Sequence, residues 1–256
     1  MTHFTVLILV LFGTGLGVSY GNPNERILGG NETDIENYPY ALQLFYMDQL
    51  ECGGILVSER FALTAGHCIA RKTVEYFLIR AGTTTLGEGG QTFTISQTTY
   101  HPQFNLSHNN YDAVVLLLSE TVSVSTAKPI QLATDDSAII EGGTILVAGW
   151  GWTILNTKNE FSTTLRVTDL TILGDEECKN SYDTPVITDA MFCGNYSGTK
   201  IRDFCFGDYG GPAVIDGILQ GIISFGESCG DGYNGKVFVR ISIIREWVLN
   251  IIQSID

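Results

Sequence analysis

Short apolar stretches alternate with turn-forming residues along most of the chain. β-branched and aromatic residues dominate these stretches, and clusters of Gly, Asn, Asp and Thr separate them. Runs of this length and composition are typical of β-strands. They predict strands over Ala41–Tyr46, Gly54–Val57, Phe77–Arg80, Ala113–Leu118, Thr144–Ala148, Gly221–Phe225 and Lys236–Ile241.

The last segment of the chain has a helical period. Its apolar side chains recur at intervals of three and four residues, which places them on one face of a helix. They are Ile244, Trp247, Val248, Ile251, Ile252 and Ile255. The pattern therefore predicts a mainly antiparallel β protein that ends in one amphipathic helix over Ile244–Ile255.

The first 20 residues have the pattern of a secretory signal peptide. An apolar run over Phe4–Phe12 is followed by small residues at Gly13, Gly15 and Gly17, as expected before a cleavage site. The run is shorter than the roughly 20 residues that a membrane-spanning helix requires. We therefore expect a secreted, extracellular protein rather than an anchored one.

The charge of the chain excludes several classes of partner. With 28 acidic and 14 basic residues, the formal net charge is -14. Such a surface repels nucleic acids and anionic membranes, so we expect neither as a partner. The acidic residues are dispersed and form no tail, which suits a soluble monomer and leaves a basic protein partner open.

Six cysteines in an exported chain indicate disulfides. They are Cys52, Cys68, Cys178, Cys193, Cys205 and Cys229. Their number alone allows 15 pairings. None has the close Cys-x-x-Cys spacing of a zinc site, and the 4 histidines are scattered, so we expect neither a metal nor another cofactor.

Four short motifs follow one another in an order that chance does not readily produce. Each is moderate support alone, because an isolated His or Asp is more often structural than catalytic. A Ser-Phe-Gly triplet (residues 224–226) and the helix with Trp247 come after them. The four motifs are Arg26–Gly30, Leu63–Cys68, Asn110–Leu117 and Gly207–Pro212.

Together these motifs make the chain resemble the trypsin-like serine protease family over residues 27–256. The resemblance implies an all-β fold of two packed six-stranded antiparallel β-barrels with a C-terminal α-helix. The active site of the family lies in the cleft between the barrels. The implied organisation is a signal peptide (1–20), a short propeptide (21–26) and a peptidase domain (27–256).

The resemblance also assigns the catalytic positions. His67 matches the general base, and Asp112 matches the carboxylate that orients the imidazole. Gly207 and the backbone amide of residue 209 match the oxyanion hole. The nucleophilic serine, however, is replaced by Tyr209.

Tyr209 is the largest departure from the family pattern. Its oxygen lies at the end of a rigid ring, several ångströms beyond the place of a serine oxygen. Loss of the serine alone costs a related triad about 10⁶ in turnover. We therefore expect an inactive homologue of a trypsin-like endopeptidase with a degenerate triad.

The specificity pocket holds a second departure. Asp203 matches the aspartate that selects Arg or Lys in trypsins, and Ser224 and Gly226 match other pocket positions. Lys236 aligns with a glycine of the pocket wall, so we expect it to pair with Asp203 and fill the pocket. A one-residue slip, which would put Gly235 in the wall instead, remains open.

Three further sets of residues follow from the pattern. The activation residues implied by the family are Arg26, the new amino terminus Ile27 and its partner Asp208. The implied disulfides are Cys52–Cys68, Cys178–Cys193 and Cys205–Cys229. Sequons at Asn31, Asn105 and Asn195 are candidate glycosylation sites.

Three functions compete. The first is a secreted non-catalytic homologue that binds proteins, as decoy, cofactor or inhibitor of a protease cascade, such as a host or self immune or complement pathway. Under this hypothesis, the protein resembles the serine protease homologues of arthropods and the inactivated protease paralogues of parasitic mites. The second is an active trypsin-like endopeptidase. The third is a structural or storage protein without a specific partner.

Overall fold

Two mainly antiparallel sheets make up the fold, the first from residues 41–118 and the second from residues 131–240 together with the short strand β1 (Asn31–Glu32). The computed structural model describes residues 30–152, 160–182, 187–196, 203–226, 229 and 235–255. The predicted signal peptide and propeptide, with Arg26 and Ile27, lie outside the described residues.

The first sheet has seven strands in the order β6-β5-β2-β3-β4-β8-β7. The two end strands of this order follow one another in the chain with only Thr94 between them, so the sheet curls into a barrel. Its strands are β2 (Ala41–Tyr46), β3 (Gln49–Leu56), β4 (Phe61–Thr64), β5 (Phe77–Ala81), β6 (Gln91–Phe93), β7 (Ile95–Tyr100) and β8 (Val114–Leu118).

The second sheet has eight strands, and its main path is β1-β11-β10-β13-β14-β15-β12. Strand β9 pairs with β14, and an additional pairing of β12 with β11 joins distant parts of the path and closes the sheet. Its strands are β1 (Asn31–Glu32), β9 (Gln131–Leu132), β10 (Thr144–Gly149), β11 (Arg166–Ile172), β12 (Met191–Asn195), β13 (Pro212–Ile215), β14 (Ile218–Phe225) and β15 (Lys236–Arg240).

The helices are short except for the last one. They are α1 (Gly66–Ile69), α2 (Asp175–Asn180) and α3 (Ile241–Ile255), with 3-10 turns at Ile35–Asn37 and Val74–Tyr76. The buried face of α3 joins the core of the first sheet through Ile241, Ile244 and Val248, so the end of the chain ties the two halves together. Among the described residues, none of the helices has the length and apolarity needed to cross a membrane.

The predicted fold class is confirmed: the protein is all-β, with two barrel-like sheets and a C-terminal helix. The sheets carry seven and eight strands rather than six each, since short strands such as β1, β6 and β9 extend them. Strand β3 begins at Gln49 instead of Gly54, because polar Gln49 and Glu51 alternate with buried residues. Helix α3 begins at Ile241, which the pattern placed at the end of a strand.

Three disulfides join all six cysteines, in the pairing that the resemblance implied. They are Cys52–Cys68, Cys178–Cys193 and Cys205–Cys229. The first ties β3 to α1, one residue away from His67. The third holds Cys205, which begins the turn that carries Tyr209.

Candidate functional site

His67 and Asp112 form a hydrogen-bonded pair in the first half of the molecule. The Nδ1 atom of His67 lies 2.7 Å from Oδ2 of Asp112. The backbone N–H of His67 donates to Oδ1 of Asp112 at 2.8 Å. This N–H lies in the first turn of α1, where amides have no acceptor within the helix, so the carboxylate fixes both the ring and the helix end.

Ser224 donates a third hydrogen bond to the same carboxylate. Its hydroxyl lies 2.6 Å from Oδ2 of Asp112, and the side chain of Asp112 is 0% exposed. A buried carboxylate requires donors of this kind. The sequence placed Ser224 in the specificity pocket by resemblance; its contact with a residue 112 positions away had no signal in the spacing.

The backbone around Tyr209 is held between the two sheets. The carbonyl oxygen of Tyr209 accepts a hydrogen bond of 2.8 Å from the amide of Gly53 in β3. The amide of Gly210 donates to the carbonyl of Ile223 in β14 at 2.7 Å. These bonds join backbone atoms only, so they do not depend on the side chain at position 209.

The ring of Tyr209 lies edge-on to His67 and does not bond to it. The ring centroids are 5.5 Å apart, and the Tyr209 ring also packs against Phe204 and Phe206 at 6.1 and 5.8 Å. Within the described part of the chain, Nε2 of His67 has a polar contact only with Sγ of Cys68, at 3.7 Å. The base therefore has no hydrogen bond to a nucleophile, which the triad mechanism requires.

The phenol of Tyr209 is also hard to ionise. Burial raises its pKa to about 12, and the nearby carboxylates of Asp203 and Asp208 act in the same direction. A phenol with this pKa stays protonated at neutral pH. Tyr209 is therefore a neutral, mainly apolar side chain at the mouth of the site.

The backbone at Gly207, which the resemblance assigns to the oxyanion hole, has a conformation that favours glycine. Gly207 has φ +94, and a Cβ there would lie 2.9 Å from the ring of Phe161, so only glycine fits. The carbonyl of Phe206 accepts the amide of Trp152 at 2.9 Å. Among the described residues, the amides of Gly207 and Tyr209 have no acceptor.

Lys236 lies inside the second barrel against Asp203. Its Nζ is 3.1 Å from Oδ2 of Asp203, and both side chains are 3% exposed. A Cβ on Gly226 would lie 2.6 Å from Cδ of Lys236, so the stem of the lysine passes directly over Gly226. Gly235, the alternative wall residue, lies against Leu173 and Cys193 instead.

Asp208 is a buried carboxylate beside this pair. Its oxygens accept the amides of Gly151 at 2.7 Å and Cys205 at 3.0 Å. Burial raises its pKa to about 7, and the charge of Asp203 adds to the effect, although the two hydrogen bonds oppose it. The family implies that Ile27 pairs with this carboxylate, but Ile27 lies outside the described residues.

The three sequons differ in their surroundings. Asn31 and Asn105 are exposed, whereas Asn195 is half-buried at the end of β12. Oδ1 of Asn105 accepts the amide of Ser107 at 2.9 Å, and Oδ1 of Asn195 accepts the amide of Tyr196 at 2.8 Å. Their glycosylation stays a prediction.

One group of side chains has the composition of a metal site but not its chemistry. The sulfurs of Cys52 and Cys68 lie close to a nitrogen of His67. Because these two sulfurs are bonded to each other in a disulfide, they are not the thiolates that zinc binds.

Two barrels with a His–Asp pair between them define the chymotrypsin-type serine protease fold. The chain belongs to the trypsin family, since the family profile described as Trypsin matches residues 27–248. A trypsin of Phaedon cochleariae is 31% identical to it, covering 97% of this chain and 98% of the relative. Human kallikrein-8 is 35% identical, covering 97% and 95% respectively.

A solved structure supports the same assignment. Neuropsin, a serine protease expressed in the limbic system of mouse brain, superposes with a TM-score of 0.79 and 31% sequence identity. The match covers 88% of this chain and 100% of neuropsin.

Proposed function

We propose that this protein is a secreted, non-catalytic member of the trypsin family that acts by binding other proteins. The observation that carries the proposal is the side chain at position 209. Its ring is 5.5 Å from the ring of His67 without a hydrogen bond to it, and its hydroxyl has a pKa of about 12. Such a residue does not supply the activated oxygen of acyl transfer.

Lys236 supports the proposal independently. A trypsin substrate places its own Arg or Lys against the pocket carboxylate. Here Asp203 is already paired with Lys236 at 3.1 Å, and both side chains are almost fully buried. An incoming cation would have to displace the ammonium of Lys236 from Asp203 and its stem from the space that it fills.

The frame that remains suits a binding role. The hydrogen bonds of Asp112 and the turn at residues 208–211 preserve a rigid cleft, while Phe206 is 51% exposed beside it. Exposed aromatic side chains on a rigid frame are common anchors of protein interfaces. We propose a role as decoy, cofactor or inhibitor in an extracellular protease cascade, with immune and complement cascades as the first to test.

The second candidate function is that of an active trypsin-like endopeptidase. The intact hydrogen bonds between His67 and Asp112 favour it, as do relatives that are named trypsins and a kallikrein. It requires another nucleophile in the place of the serine. No serine or threonine is adjacent to Tyr209 in the chain.

Active-site labelling separates the two candidates. The protein, with its amino terminus freed at Ile27, is incubated with a fluorophosphonate and with peptide substrates carrying Arg, Lys, aromatic or small residues. We expect neither labelling nor turnover, and a His67→Ala variant is the matched control. Turnover that follows the purified protein and is abolished in that variant would falsify the proposal.

A binding experiment separates a specific role from a structural or storage role. The protein is immobilised and exposed to body fluid, alongside a Phe206→Ser variant. We expect defined partners that the variant retains less well. Identical retention by both forms, or no retention, would leave the binding role without support.

A further inference from the structure

A groove of about 550 Å³ lies on the second half of the molecule, apart from the cleft. The loop after β9, helix α2, the residues before β12 and the first turn of α3 form its walls. None of its lining residues belongs to the His67–Asp112 pair or to the pocket of Asp203.

Arg240 lines the groove and is fully engaged by the protein itself. Its Nη1 lies 3.1 Å from Oδ2 of Asp136, and its Nη2 lies 2.9 Å from Oδ1 of Asp175. Its Nε donates to the carbonyl of Met191 at 2.8 Å, and the side chain is 10% exposed. This cation is therefore not available to an anionic ligand.

The charge that remains in the groove is negative. Glu141 and Asp189 also line it, both are exposed, and within the described residues neither has a salt-bridge partner. Lys179 is the remaining cation of the lining. Four carboxylates against two cations leave a formal charge of about −2, which attracts positive charge.

Aliphatic side chains also line the groove. Ile243 lies in the first turn of α3, lines the groove and is 47% exposed. Ile139 and Ile187 also line it and are half-buried. A ligand that fits must therefore carry apolar groups as well as positive charge, since each exposed aliphatic side chain gains by being covered.

We propose that this groove docks a basic segment of a partner protein in which Arg or Lys alternates with aliphatic residues. The cations face Glu141 and Asp189, and the aliphatic residues cover Ile243. The proposal goes beyond the binding function of the cleft, because an active protease could use the same groove. Its failure and the failure of the cleft proposal are therefore separate results.

Peptide binding tests the groove directly. The probe is a short fluorescein-labelled peptide of alternating Arg and Leu with blocked ends, measured by fluorescence anisotropy. We expect saturable binding at one site, weaker binding of an Arg–Gly peptide, and no binding of a Glu–Leu peptide. The double variant Glu141→Gln with Asp189→Asn should bind the probe about tenfold more weakly. Ile243→Ser should weaken it about fivefold.

A matched double variant controls for the overall charge. Glu75→Gln with Asp216→Asn removes the same two charges from exposed positions outside the groove, and affinity should stay within about twofold. Equal weakening by both double variants would mean attraction by net charge alone and would overturn the proposal. So would absence of binding by the unmodified protein at about 1 mM probe, the weak end of specific recognition.

Discussion

Two regions of the molecule have diverged to different degrees from the same catalytic frame. In the first, Asp112 accepts three hydrogen bonds from His67 and Ser224, all between 2.6 and 2.8 Å. In the second, the positions that the family resemblance assigns to nucleophile and pocket wall hold a half-buried phenol and a buried lysine. One region has a hydrogen-bonded His–Asp pair, whereas in the other a phenol occupies position 209 and Lys236 is paired with Asp203.

The difference shows which parts of the site depend on side chains. The turn at residues 208–211 is held by backbone hydrogen bonds, such as the bond of 2.8 Å from the amide of Gly53 to the carbonyl of Tyr209. Those backbone bonds can form with any side chain at position 209 that fits the neighbouring space. Chemistry at position 209 and selectivity at position 236 can therefore be lost while the frame stays in place.

The strongest test of this comparison restores the family residues in the second region. If the first region is intact, Tyr209→Ser with Lys236→Gly should gain cleavage after Arg, because His67, Asp112 and Asp203 then have their partners. Tyr209→Ser alone should stay nearly inert toward Arg substrates, since Lys236 still occupies the carboxylate of Asp203. Steady-state kinetics on protein with a free Ile27 terminus would measure a difference of at least about 10³.

Two results would contradict these expectations. Efficient Arg cleavage by the single variant would show that Lys236 leaves the pocket open. An inactive double variant that folds normally would show that the preserved hydrogen bonds do not suffice. A His67→Ala change in the double variant is the control for a contaminating protease.

A second prediction compares the buried ion pair with a surface one. Lys236→Met leaves Asp203 buried without its cation and should lower the free energy of unfolding by about 3–5 kcal/mol. Adding Asp203→Asn should recover most of the loss. The matched control is Lys72→Met, because Lys72 pairs with Glu51 at a half-buried position of the first barrel where both side chains still reach water. Its loss should cost about 1 kcal/mol.

Urea unfolding of the wild-type protein and the three variants would measure these differences. A loss no larger in Lys236→Met than in Lys72→Met would mean that the Lys236–Asp203 pair is solvated. In that case the pocket is not filled in solution.

The third prediction concerns Asp208, and its sign follows from the raised pKa of about 7. The folded protein retains a proton that the unfolded chain has already lost, so stability is greatest at low pH and falls as pH rises through about 7. Between about pH 5 and pH 8 the uncleaved protein should lose roughly 3 kcal/mol.

Thermal unfolding across this pH range would test the prediction, with Asp208→Asn as the control. The amide imitates the protonated carboxyl and should remove most of the pH dependence. Cleavage after Arg26 should also remove it, if the new amine pairs with Asp208. A wild-type profile as flat as that of Asp208→Asn would contradict the pKa and its cause.

The pattern of the chain predicted a mainly antiparallel β protein with a C-terminal helix, and the two barrels were implied by the family resemblance. The strand over Ala41–Tyr46 has the same bounds in the structure, and the strand over Phe77–Arg80 is only one residue longer. The errors lie where pattern is ambiguous. Ile241 suits either a strand or a helix, and Gln49 and Glu51 hide the start of β3 because polar residues there face outward.

The sequence identified the residues of the candidate site but not the contacts between them. Resemblance pointed to His67, Asp112, Tyr209 and Lys236, because each lies in a local motif. The hydroxyl of Ser224 on Asp112 and the groove around Arg240 were not predicted, since both arise from segments that only the folded chain brings together. The spacing of residues within a local motif does not encode such long-range contacts.

The lysine beside Asp203 has a consequence for circulating protease inhibitors. Inhibitor loops that capture trypsins by inserting an Arg or Lys need an empty, negatively charged pocket, and here a lysine of the same chain is 3.1 Å from the carboxylate. If the pair persists in solution, we expect such inhibitors to bind this protein far more weakly than a trypsin whose pocket is empty.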